Sequence, residues 1–277
     1  MNNKRSDKKN SFSNVDSSDD PLQFVKCMDD QYEHNSILRT NKARTLALAD
    51  IQPGMIVLDA GCGTGVDVAT MIQLVGASGH VYGVDLSEAM IASARQRIDL
   101  NNSPVTFQQA SIYQLPFEDN FFDRVRADKV FQHLAEPEMA LGELFRVTKP
   151  GGKIITADPD HDSLIIDTPF TEVNEAFVRF RSRHMAQGGI AHQMYRLLKA
   201  LGMSDVFVEP RTSAYTDYNE KKVSSPYLEE IWMANEYGIV SRDAAQIWVD
   251  YLEAAIENGQ FLCLQTYIIT TGTKPVL

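Results

Sequence analysis

Three observations predict that this chain folds as an α/β protein, with a mostly parallel sheet and helices on both faces. Strand-like and helix-like stretches alternate through residues 55–158. Residues 57–65, Val-Leu-Asp-Ala-Gly-Cys-Gly-Thr-Gly, read as a strand breaking into a glycine turn, and the next strand, His80 to Asp85, again ends on an acid. Strands are expected at 55–59, 80–85, 104–109, 122–127 and 153–158, and helices at 66–75, 88–100 and 137–148. Such alternation implies βαβ units, because parallel strands need crossover helices that cover the sheet. Pro53-Gly54 turns the chain into the first strand, and Ser87 before Glu88 has the form of an N-cap with an acid in the first helical turn.

The glycine turn carries most of the functional information. Gly61, Gly63 and Gly65 stand at every second position after Asp59, where backbone must turn tightly or approach a ligand without a Cβ in the way. The dinucleotide fingerprint, counted from Gly61, would place its third glycine at 66, which is Val66. Asp59 would also repel a pyrophosphate, whereas it would attract a cation. Asp85, at the end of the following strand, is placed to accept hydrogen bonds from ribose hydroxyls. A ligand with a positive centre, an ammonium and a ribose fits these residues best.

Further segments extend the pattern: Val84-Asp-Leu-Ser87, Leu115-Pro-Phe117 followed by Phe122-Asp123, and Arg146-Val-Thr-Lys-Pro-Gly-Gly152. Together with residues 57–65 they resemble the class I S-adenosylmethionine-dependent methyltransferases, in particular the small-molecule branch of the ubiquinone/menaquinone-biosynthesis type. The likeness covers roughly residues 30–160. It implies a seven-stranded Rossmann-like sheet whose last two strands form an antiparallel hairpin at one edge, with an inserted helical cap roofing the acceptor. It also implies S-adenosylmethionine as cofactor and S-adenosylhomocysteine as product; no metal is expected, because nothing in the sequence resembles the Asp/His ligand cluster of the metal-dependent catechol type. By resemblance, Gly61-Cys62-Gly63 passes beneath the methionine part, Asp59 lies near its ammonium, Asp85 holds the ribose, and Leu86 and Met90 flank the adenine. Ser111-Ile112 stands where the family often has an acid for the adenine amino group; Ser111 can still hydrogen-bond there, and Ile112 would pack on the ring.

Outside this core the chain is organised as follows. Residues 1–20 have little to bury and read as a disordered tail. Residues 21–52 suggest two helices forming an N-terminal lid, residues 53–160 the cofactor-binding core, and residues 161–277 the cap plus the final two strands. In this last part, 168–184, 190–201 and two patterns within 226–257 are expected as helices, and 203–209 and 261–270 as strands. Trp232, Tyr237, Trp248 and Tyr251 either line an apolar acceptor cavity or simply pack at helical spacing.

Composition narrows the function classes. A net charge of −11 argues against a nucleic-acid substrate, and no run of about eighteen apolar residues is present to span a membrane. The polar N-terminus has no apolar signal core, so a cytoplasmic protein is expected; the expected state is a monomer or homodimer. Cys27, Cys62 and Cys263 are widely separated and have no metal-ligand spacing.

Methyl transfer from a sulfonium needs alignment and a dry cavity more than a catalytic triad. Where the acceptor needs a base, His161 in Asp158-Pro-Asp-His161 and His133 after the fourth strand are the candidates, with His184 and His192 in the roof. A loop histidine capping a turn is the alternative for His161, and a strand–helix junction residue for His133. Arg126 could pair with the cofactor carboxylate or with a protein acid. Tyr32 could cover the cofactor or belong to the core. The expected activity is methylation of a small aromatic or natural-product acceptor. The rivals are a non-catalytic cofactor-binding protein and a protein or RNA methyltransferase, though Asp128-Lys-Val-Phe131 lacks the Asn/Asp-Pro-Pro-Tyr/Phe pattern of amide-nitrogen enzymes.

Overall fold

β-Branched and other apolar residues at 56–58 make the central strand, β1 (Ile56–Ala60), whose Val57, Leu58 and Ala60 are fully buried in the computed structural model. The structure describes residues 12–222 and 225–276. Around β1 lie β2 (His80–Asp85), β3 (Val105–Gln109), β4 (Phe122–Asp128) and β5 (Thr148–Ile166), all parallel. Two antiparallel strands, β6 (Ser204–Tyr215) and β7 (Cys263–Thr273), complete a seven-stranded sheet in the order β3-β2-β1-β4-β5-β7-β6. The last strand is thus inserted between β5 and β6, and three helices separate the two strands expected to form a hairpin.

The helices α1 (Pro21–His34), α2 (Ser36–Ala49), α3 (Val66–Val75), α4 (Glu88–Arg97) and α5 (Pro137–Val147) flank the sheet. One apolar cluster packs α5 and α7 (Ile190–Ala200) on one face, around Leu58, Val125, Phe131 and Leu144. A second packs α2, α3 and α4 on the other, around Val57, Met71, Ile91 and Ile155. A third joins α6 (Thr171–His184), α9 (Tyr227–Glu236) and α10 (Arg242–Glu257), with α8 (Tyr218–Lys222) preceding them. In α10, residues Ala245, Trp248, Val249, Leu252 and Ala255 form the buried stripe at helical spacing.

Two expectations change here. Residues 1–11 of the expected disordered tail lie outside the described residues. Residues 12–20, however, are structured: Phe12–Ser17 form a short 3-10 helix with Val15 buried, and Asp20 caps α1 through Leu22 N and Gln23 N. Asp16 explains the ordering, since its carboxylate accepts from Ser87 Oγ, Glu88 N and Ala89 N at the α4 N-terminus. Strand β5 also runs past Asp158 to Ile166, with a register irregularity between Asp160 and Ile165, so His161 lies within an irregular strand extension rather than a loop after it. Pairing with β7 resumes at Ile165 and Ile166, which draws the chain straight on.

Candidate active site

The carboxyl ends of β1, β2, β4 and β5 come together at one sheet edge, where open α/β folds collect ligands. After β1 the chain turns at Gly61, Gly63 and Gly65 with φ of +77°, +52° and +75°. Gly61 N and Cys62 N both donate to Val84 O at 2.7 and 2.9 Å, binding the turn to β2. Asp85 completes it: Oδ2 accepts from Gly63 N and Oδ1 from Ser87 N, each at 2.9 Å. A Cβ on Gly63 would collide with the Met28 side chain of α1, which lies directly on the turn.

Asp59 belongs to a buried ionic network beneath this turn. Arg126 spans it, donating from NH1 to Asp59 Oδ1 at 2.9 Å, and from NH2 to Asp67 Oδ2 at 3.0 Å and Asp128 Oδ2 at 2.6 Å. Its Nε donates to Thr45 Oγ1 at 2.9 Å. Lys42 of α2 adds bonds to Asp67 at 2.6 Å and Asp128 at 3.5 Å. Three carboxylates thus face two cations, which leaves one negative charge in excess. Burial pushes the Asp59 carboxyl up to about 6, with Asp67 adding to the effect against Arg126 and Lys42. A cationic ligand group at this edge would relieve that excess, so the residues present fit a ribose-bearing cation.

The expectation that Arg126 reaches the cofactor carboxylate is corrected by this geometry: all three guanidinium nitrogens are engaged by protein oxygens, and the residue is 2% exposed. Its partners Asp67 and Asp128, and the second cation Lys42 that they share, were not legible as such in the sequence. Asp67, in the first turn after Gly65, and Asp128, at the end of β4, were the available signals.

The remaining cofactor candidates divide. Met90, in the first turn of α4, is buried while Leu86 is half exposed, and Gln109 Nε2 donates to Leu86 O at 3.0 Å. Ser111 Oγ accepts from Tyr113 N at 3.2 Å, and Ile112 packs against the first apolar cluster. Cys62 is a packing residue whose thiol burial pushes well above its ordinary range. Tyr32 lines a groove of about 420 Å³ between α1, α2 and α3, with Arg39, Lys42 and Asp67. It is the one cofactor candidate among the residues lining that groove.

Neither histidine is poised as a base. Arg181 NH1 can only donate, so His161 Nδ1, 2.8 Å away, must accept. Nε2 then carries the proton and donates to Gln132 Oε1 at 2.8 Å. The imidazole has no lone pair left for a substrate proton, and burial, then Arg181 and Lys221, hold its pKa well below the usual range. His133 lies against Phe12, and burial and Lys129 bring it down to about 4, so it is a weak base. His184 packs between Phe180 and Tyr237.

His192 Nδ1 meets Asp160 at 3.1 Å, and with Asp162 these residues form a His/Asp group whose donor atoms lie within 4.8 Å of one another. The sequence reading found no such group, because Asp160 and His192 stand on different elements. Trp248 packs on Phe177 in the cap's core with Trp232 partly buried against that cluster, while Tyr237 and Tyr251 are exposed.

Residues 51–201 match a family described as a methyltransferase domain, more than half of the chain. The chain belongs to the class I S-adenosylmethionine-dependent methyltransferases. It is 35% identical over 248 residues to an uncharacterized 37.1 kDa protein in transposon TN4556 of Streptomyces fradiae, covering 89% of this chain and 70% of that one. It is 32% identical over 148 residues to demethylmenaquinone methyltransferase of Bacillus mycoides, 51% of this chain and 62% of that protein. Among solved structures, a Haemonchus contortus phosphoethanolamine N-methyltransferase 2 bound to S-adenosylhomocysteine shares the fold, with a TM-score of 0.62 and 20% identity. That match covers 96% of this chain and 61% of the other. No helix among the described residues is long and apolar enough to cross a membrane.

Proposed function

We propose that this protein transfers a methyl group from S-adenosylmethionine to a small organic acceptor held between the sheet edge and the helices of residues 161–257. The single observation that carries this reading is the buried excess of one carboxylate beneath a glycine turn that is itself hydrogen-bonded to Asp85. Asp59 would face the cofactor's cationic end, Asp85 its ribose hydroxyls, and the glycines its chain. The bound cofactor supplies an activated methyl on a sulfonium. The protein's own residues then align the partners and exclude water.

An aromatic or natural-product acceptor is favoured by the similarity to demethylmenaquinone methyltransferase. With His161 locked between Gln132 and Arg181, alignment rather than histidine base catalysis is the expected contribution. Calorimetry tests the donor: the wild type should bind S-adenosylmethionine and Asp85→Ala should bind it at least about tenfold more weakly. Isotope-labelled methyl cofactor mixed with a metabolite extract tests the transfer. An unlabelled extract, with cofactor bound, would favour a non-catalytic binding protein.

A further inference from the structure

Tyr267 of β7 stands outside residues 51–201, the span that matches the methyltransferase family, yet its side chain reaches the ionic network beneath the glycine turn. The residue is 6% exposed, and its Oη donates to Asp128 Oδ1 at 2.6 Å. Burial, then the Asp128 charge beside it, push the phenol well above its ordinary range, so it stays a donor at neutral pH. It brings a proton to the network without bringing a charge.

That bond decides how the two cations of the network are divided. Asp128 has three other proton-bearing neighbours, and none of them serves Oδ1 at close range. Lys42 Nζ is 3.5 Å from Oδ1 but 2.6 Å from Asp67. Arg126 NH2 meets the other oxygen, Oδ2, at 2.6 Å. The single hydroxyl proton of Thr45 has Lys42 O at 2.8 Å and Asp128 Oδ2 at 3.3 Å, so the carbonyl takes it. Without the phenol, Oδ1 would lack a short donor in a buried setting, and Lys42 and Arg126 are the groups able to shift toward it. Either shift draws positive charge away from Asp67 or Asp59. Asp59 is the more exposed to this loss, because Arg126 NH1, at 2.9 Å, is its one side-chain donor among the described residues. The other titratable groups acting on Asp59 are Lys42 of α2, Asp67 of α3 and the Cys62 thiol of the turn, which burial keeps neutral.

We propose that Tyr267 is a positioning residue for the methyl donor: by holding Asp128 it keeps Arg126 on Asp59, so that Asp59 meets the cofactor's cationic end as a carboxylate. This role rests on the methyltransferase reading and extends the cofactor site to a residue of the last strand. Tyr267 acts through two intermediates, Asp128 and Arg126, and the sharing of one guanidinium among three carboxylates is what transmits its effect.

The test is a calorimetric titration of the full chain with S-adenosylmethionine, repeated from about pH 5 to about pH 8. Ionisation of Asp59 gives the wild type an affinity that rises through about pH 6. Tyr267→Phe lets the cations move toward Asp128 and should shift that midpoint up by about half a pH unit or more. Placing 3-fluorotyrosine at position 267 alone makes the phenol a stronger donor and should shift the midpoint down. General loosening of the network would instead weaken binding by the same factor at every pH and leave the midpoint in place. An unmoved midpoint in folded Tyr267→Phe overturns the proposal, as do shifts of the same sign in the two chains or a wild-type affinity independent of pH. If Tyr267→Phe does not fold, the fluorotyrosine chain decides alone, and an unmoved or raised midpoint there overturns the proposal. A wild type that fails to bind S-adenosylmethionine even at the alkaline end overturns the cofactor reading itself, which separates the two failures.

Discussion

Asp59 and Arg126 sit opposite each other on adjacent parallel strands, β1 and β4, and their side chains meet at 2.9 Å beneath the glycine turn. The contact takes up one Asp59 oxygen and leaves the carboxyl short of full neutralisation, since Arg126 is shared with Asp67 and Asp128. That sharing makes Asp59 sensitive to pH and to a bound cation.

Burial holds the Asp59 pKa up at about 6, against an ordinary value of 3.8. In the free protein this group therefore favours the folded state fully below its unfolded pKa, and the contribution is lost as pH rises through about 6. A cationic ligand needs the ionised form, so binding expels a proton on the acidic side. S-adenosylmethionine affinity should rise between about pH 5 and about pH 7 and then level off. Calorimetry in buffers of different ionisation heat should show the released proton. Asp59→Asn should bind the cofactor about tenfold or more weakly, with a flattened profile. A wild type with constant affinity across this range contradicts the assignment.

Removing Arg126 should act first on stability. Arg126→Met would strand Asp59, Asp67 and Asp128 with Lys42 as their remaining cation in the network, and breaking a buried ion pair costs about 3–5 kcal/mol. Urea unfolding should show that loss without cofactor present. If Arg126 instead served the cofactor carboxylate, the stability of the free protein would hold and only binding would fall.

The network shows where sequence reading succeeds and where it stops. The alternation of strands, the glycine turn and Asp85 are local patterns, written in consecutive residues, and the structure places them together. Arg126 could be seen as a charge at the right strand end, but its partners come from α2, β1, α3 and its own strand, up to 81 positions away, as with Thr45. The cap was harder still. The antiparallel pairing of β6 with β7 was implied by the resemblance, but not that α8, just after β6, would bring Lys221 to Gln265 of β7. His161 looked like a base because acids flank it in sequence, whereas its ring nitrogens face Arg181 and Gln132.

The role of His161 can be separated from general-base catalysis by its pH signature. His161→Asn keeps a polar side chain but loses the two-sided bridge, so Arg181 and Gln132 should be repositioned and acceptor KM should rise by several-fold. The pH dependence of kcat should keep its wild-type shape, because the imidazole stays neutral throughout the working range. Loss of an acidic limb from the kcat profile in the variant would restore the histidine to a base role.

The last prediction concerns entry to the cofactor edge, which α1 covers. Met28 rests on Gly63, and Asp29 Oδ1 receives both Thr64 Oγ1 at 2.9 Å and Arg97 NH2 at 2.7 Å. Lys129 Nζ reaches Gln31 Oε1 at 2.6 Å from the end of β4. A cofactor settling against the glycine turn must displace the Met28 side chain, so the helix and the ligand compete for the same ground. Asp29→Ala removes two of the ties to α1 and leaves the turn itself intact. Stopped-flow binding should then show association and dissociation both accelerated by several-fold, with Kd changing much less than either rate. Met28→Ala, which clears the turn while keeping the ties, should raise the association rate and tighten binding. If the rates in both variants match the wild type, α1 does not govern entry.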